Sequence, residues 1–232
     1  HHRGLQNLYL WFDSIQACLI KKKSIMLGQY MKKEILVLPG LEKEISIRVL
    51  MNGAIKNLSN SLGMKIEIVD LAWTKRGNLA QLEEGLNEKI NNIDGQVVLM
   101  GIGVGMTEAI MARHKYGRDK IPEVISVCGW SWPEIGLTSD EIEKLDKLKK
   151  DNPVFREAME VYKEMFINSF RSDDWKRIMG LVASEDEIIP KNCSVINEME
   201  RVVKVEGDHV GGILKAFGEV GVLREFIERK NN

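Results

Sequence analysis

The sequence predicts an α/β protein: a mostly parallel sheet of about six strands, helices on both faces, and a small helical cap. Three observations carry this expectation. Short continuous apolar runs alternate with longer amphipathic segments, as when strands are buried on both faces and joined by crossover helices. Glycine, proline or aspartate closes several of the runs, marking turns at strand ends. The rhythm breaks once, after residue 128, where a stretch rich in Lys, Glu and Asp is too long for a simple crossover.

The first run, Ile35 to Leu38, ends in Pro39-Gly40 and reads as a buried strand. Residues 43 to 61 place Ile47, Leu50, Met51, Ala54 and Leu58 at helical spacing, with Gly63 as the stop. Ile66 to Val69 is the second strand, and Leu79, Leu82 and Leu86 stripe the helix after it. Gln96 to Met100 is the third strand, followed by the turn Gly101 to Gly105 and a helix through His114. Val124 to Cys128 is the fourth. A cap over about residues 134–177 holds two helices, one capped by Ser139 and one opened by Pro153. Ile178 to Ala183 and Val202 to Val205 complete the sheet, and Gly212 to Arg229 is helical. Residues 31–232 are expected to form a single domain. His1-His2 suggests a purification tag, so residues 1–30 are read either as a tag or as an N-terminal extension with an edge strand over Leu8 to Phe12.

Composition narrows the function classes. The 33 basic and 34 acidic residues leave a formal charge of -1, which gives no field to attract nucleic acid or an anionic membrane. The basic runs Lys21 to Lys23 and Lys147 to Lys150 read as solvated faces. No apolar stretch is long enough to cross a membrane. Three cysteines without a paired motif, and no export signal, point to a reducing, cytoplasmic setting. No metal or cofactor motif is visible. The Gly101-x-Gly103-x-Gly105 turn lacks the spacing of a dinucleotide fingerprint, and no Gly-Lys-Ser/Thr follows it.

Three segments beyond predicted strand ends hold the candidate chemistry, since open α/β sheets gather their functional groups there. They are Gly101 to Gly105, Asp186-Glu187-Ile188-Ile189-Pro190, and Glu206-Gly207-Asp208-His209. In order and placement they resemble the α/β-hydrolase family. The resemblance places the nucleophile elbow G-x-S-x-G at residues 101 to 105, the triad acid at Asp186 and the histidine at His209. It also implies oxyanion donors at the backbone N–H groups of Leu41, after Pro39-Gly40, and Val104.

One departure is decisive: position 103, where the family has serine, is glycine. No covalent acyl intermediate can form there. The family includes such members, as in N-myc downstream-regulated proteins. The expected function is therefore binding of a small molecule or a protein partner at a remnant site. The alternative is an ester hydrolase, active or experimentally inactivated, that uses the Asp186 and His209 pair. A water activated by that pair could stand in for the serine; Cys128, Ser126 and Ser131 are other substitutes, on or after the neighbouring strand. Asp208 competes with Asp186 as the partner of His209. Trp73, Trp130 and Trp132 are pocket candidates, set against simple packing between loop and cap. Phe155, Met159, Tyr162 and Phe166 recur at helical spacing, as expected for packing the cap down.

Overall fold

In the computed structural model the described residues are 33–41, 45–71, 73, 78–130, 137–169, 175–189 and 199–229, with side chains of 45–48 and 167–169 excepted. The expectations for residues 1–30, Ser131 and Trp132 fall outside these.

Among the described residues six strands form one sheet: β1 Lys33–Leu38, β2 Ile66–Ile68, β3 Gln96–Ile102, β4 Val124–Val127, β5 Ile178–Ala183 and β6 Arg201–Val205. All neighbouring pairs are parallel and the spatial order is β2-β1-β3-β4-β5-β6. The order reverses between β1 and β3, so a crevice opens beyond their carboxyl ends, where Gly40 and Gly103 lie.

Seven helices accompany the strands among the described residues: α1 Ile45–Leu62, α2 Leu79–Asn91, α3 Gly105–Lys120, α4 Ser139–Asp151, α5 Pro153–Ser169, α6 His209–Ala216 and α7 Val220–Glu228. Strand side chains alternate between two cores. Leu36, Leu38, Val97 and Leu99 join residues of α2, α3 and α5 on one face. Ile35, Val37, Val98 and Met100 join α1, α6 and α7 on the other. No helix among the described residues is long and apolar enough to cross a membrane.

Helix starts follow local chemistry. Asn78 caps α2 by accepting from the Gln81 N–H, and Asp208 caps α6 by accepting from Gly211 at 2.7 Å. Thr138 and Glu141 form a reciprocal capping box at α4, one residue ahead of the expected cap at Ser139.

Two expectations change. In α1 the buried stripe is Met51, Ile55, Leu58 and Leu62, while Leu50 is 56% exposed; the sequence held apolar residues on both possible phases, and packing against the sheet selected one. The inserted region is also less peripheral than a cap laid over one end. Helix α5 buries Phe155, Ala158, Met159 and Tyr162 within the same core as α2 and α3, leaving α4 as the part that overhangs the sheet's crevice.

Candidate functional site

The turn from β3 into α3 is fixed by contacts that leave no room for side chains at its flanks. A Cβ on Gly101 would lie 2.4 Å from the Met106 Cα, and one on Gly105 would lie 2.1 Å from the Leu38 carbonyl oxygen. The middle residue differs. Gly103 has φ +53, and among the described residues a Cβ there would meet only the His209 Nε2 at 3.9 Å and the Gly40 Cα at 4.0 Å. The turn is therefore a sharp strand-to-helix elbow whose central position faces a base.

Asp186 and His209 are brought together by adjacent strands β5 and β6. The histidine Nδ1 lies 3.0 and 2.9 Å from the two oxygens of Asp186. Asp186 Oδ1 also accepts the backbone N–H groups of Ile188 and Ile189 at 3.0 and 2.8 Å, so the loop itself orients the carboxylate. The imidazole is held from its backbone as well, since the His209 N–H donates to Glu187. A carboxylate only accepts, so Nδ1 carries the proton and Nε2 presents its lone pair to Gly103. Asp208 is engaged as the cap of α6 and does not partner the ring.

A cavity of about 880 Å³ opens above this pair. Leu145, Leu148, Ile188, Ile189, Val210 and Ile213 supply apolar wall, while Glu141, Lys144, Lys147 and Asp151 of α4 line its cap side. Leu41 and Val104 also line it. Neither of their backbone N–H groups has an acceptor among the described residues.

Trp130 lines the cavity, and its backbone N–H donates to the Gly103 carbonyl at 2.8 Å. Its indole nitrogen is buried without a partner among the described residues. Trp73 does not line the cavity: its indole donates to the Pro39 carbonyl at 3.0 Å and its ring meets Phe155 edge-on, which makes it a strut beneath the crevice. His114 is exposed on α3.

Cys128 follows β4 with φ +45, and its sulfur, an Asp186 oxygen and a His209 nitrogen all lie within 4.8 Å of one another. These are the residues that could hold a metal. The thiol is fully buried, and desolvation pushes its pKa up to about 12. It keeps its proton, which disfavours it both as a metal ligand and as a replacement nucleophile. Its position at a strand end was legible in the sequence; its packing against α6, where a Cβ on Gly212 would come 3.3 Å from the sulfur, was not. Ser126 is buried within β4 and does not line the cavity.

No family model matches the chain, and no curated protein matches it in sequence. Its fold is nevertheless that of the α/β-hydrolases. A monoacylglycerol lipase of Paleococcus ferrophilus is 14% identical with a TM-score of 0.55, the match covering 84% of this chain and 97% of that one. A lipase-esterase related protein from Clostridium acetobutylicum is 15% identical with a TM-score of 0.55, over 86% and 96% of the two chains. A bromoperoxidase from Bacillus anthracis is similarly 15% identical with a TM-score of 0.55, over 86% and 92%.

Proposed function

We propose that this α/β-hydrolase-like protein binds a small, largely apolar molecule in the cavity over Gly103 and has no serine hydrolase chemistry. The supporting observation is the cavity itself: a chamber of about 880 Å³, with an apolar wall and a charged side formed by α4, holds His209 and Asp186 at a sheet's switch point. In this reading the N–H groups of Leu41 and Val104 receive a ligand oxygen and His209 takes or shares a proton.

The test is equilibrium binding of apolar carbonyl compounds such as 2-tetralone, followed by saturation-transfer NMR. Replacing Leu145, a buried wall residue, by tryptophan is expected to weaken binding at least about tenfold by filling the chamber. Undiminished binding by Leu145→Trp would count against the cavity as the site. The alignment of the elbow has its own test. Gly103→Ser places a hydroxyl beside Nε2 and is expected to make the protein react with a fluorophosphonate probe that leaves the parent unlabelled.

One observation favours a second reading. The space beside Gly103 lies within reach of an oriented base, so a water there could be activated for slow ester hydrolysis. Turnover of short-chain p-nitrophenyl esters, lost in His209→Ala, is the expected result under that reading; background rates in both proteins rule it out.

A further inference from the structure

We infer that the Asp186–His209 pair abstracts a proton directly from the ligand, and that the ligand is a carbon acid, a molecule with a C–H bond next to a carbonyl. The inference rests on the reading of the cavity as a small-molecule site and adds an activity to it.

The geometry leads there in three steps. A base oriented through Nδ1 has its lone pair on Nε2, and among the described residues no hydroxyl or thiol lines the cavity for that lone pair to deprotonate, since residue 103 is glycine and the Cys128 thiol is buried. Next, the position a Cβ would take on residue 103 is 3.9 Å from Nε2. A ligand carbon in that same space is within about half an ångström of the 3 to 3.5 Å range for reaction. In a protein with serine at 103 the side chain would occupy this space and separate base from ligand. Glycine gives the ligand's own carbon access to the imidazole.

The third step concerns the charge that forms. Nε2 takes the proton, the C–H electron pair becomes a carbon–carbon π bond, and the carbonyl π pair moves onto oxygen as an enolate. That oxygen needs donors, and Leu41 and Val104, whose N–H groups have no acceptor among the described residues, line the same cavity. Gly40 keeps the approach open: a Cβ there would stand 3.0 Å from the Ile102 carbonyl oxygen and 3.5 Å from the Val104 nitrogen. Return of the proton from the imidazolium to carbon completes the cycle, so exchange with solvent needs no oxidant, metal or second reactant. The apolar wall also suits the step, because a ketone binds uncharged and charge appears only at the donors and the base.

The probes are 2-tetralone and phenylacetone in deuterium oxide, with loss of the α C–H signal followed by proton NMR and binding followed by saturation transfer in the same tube. The protein is expected to accelerate exchange over buffer. His209→Ala is expected to lower the protein-catalysed rate by about 10² to 10⁴-fold, the usual worth of a positioned base. Far-UV circular dichroism establishes that the variant is folded, and Asp186→Asn, which retains the shape of the acid, is expected to slow exchange as well. Gly103→Ser is expected to trade activities, losing exchange while gaining fluorophosphonate labelling, because the hydroxyl then stands between base and carbon.

Binding of either ketone without exchange, or exchange unchanged in folded His209→Ala, overturns the inference and leaves the ligand-binding reading standing. Failure of both ketones to bind removes both readings.

Discussion

The two edges of the sheet each bury a carboxylate, and they treat it in opposite ways. At the amino edge Glu123 is fully buried beside the start of β4. Lys33 reaches it at 3.0 and 3.1 Å and also donates to the Ile227 carbonyl at 2.7 Å, while Arg177 closes on its Oε1. Two permanent cations answer one anion, and the network ties β1, β4, β5 and α7 together. At the carboxyl edge Asp186, whose side chain is 5% exposed, is answered by one imidazole whose far nitrogen faces a cavity. Burial and ion pairing are common to both places. What distinguishes the second is a hydrogen-bonding group left unspent and turned toward open space, which is the physical content of a functional site as opposed to a strut.

The contrast is most easily broken at Glu123. Glu123→Ala is expected to cost about 3–5 kcal/mol in urea unfolding, because two partly buried cations lose their partner. In a Gly103→Ser background it should leave fluorophosphonate labelling of the folded fraction unchanged. A cost under about 1 kcal/mol would remove the strut from the comparison.

Glu108 sharpens the contrast, being a buried carboxylate whose Oε1 has no hydrogen-bond partner among the described residues. Burial, assisted by the charge of Glu83, raises its pKa from 4.5 to about 8. The folded protein then holds a proton that the unfolded chain releases near 4.5, so stability falls as pH rises from about 4.5 to 8. Glu108→Gln should match the parent at about pH 4 and gain on it through that window, reaching on the order of a few kcal/mol above it. A constant difference at all pH values would refute the assignment.

Smaller effects separate neighbours. Asp208→Ala removes the α6 cap and is expected to cost about 1 kcal/mol while leaving the exchange rate within about twofold, since Asp186 rather than Asp208 holds the ring; a collapse of exchange in folded protein would reverse that assignment. Cys128 is expected to resist alkylation mapped by mass spectrometry at about pH 8 in the native state and to react once unfolded, as burial and its raised pKa dictate. Native labelling there would reopen the thiol as a nucleophile.

Much of the fold was legible because its signals are local. The buried parallel strands read as continuous apolar runs, and the elbow, the acid loop and the histidine each follow a strand end in the chain. Helix α1 was placed closely in extent, and Met51, Ala54 and Leu58 of its expected stripe face the core, but Leu50 does not, because Leu50 and Met51 both fit the helical spacing and only the sheet beneath decides between them. Trp73 was misplaced for a related reason: nothing in its neighbours reveals that the Pro39 carbonyl will take its indole proton. The nearness of Cys128 to Asp186 and His209, the burial of Glu108 and the wall made by Leu145 and Leu148 all depend on elements distant in sequence coming to lie side by side. The packing of the cap onto the domain was legible in the helical spacing of Phe155, Met159, Tyr162 and Phe166, whereas the sharing of one core by α5, α2 and α3, and the place of α4 along the cavity, were not.

The elbow is clamped at its flanks rather than at its centre. Leu38 and Met106 press on Gly105 and Gly101, and a strand hydrogen bond from the Gly103 N–H to Val127 holds the middle from behind. Residue 103 consequently behaves as a socket: its occupant is decoupled from the turn that presents it, apart from the modest strain that a positive φ imposes on any side chain. A single codon can then alter what the base touches while the frame around it stays in place, so chemistry at this site can change without a change of architecture.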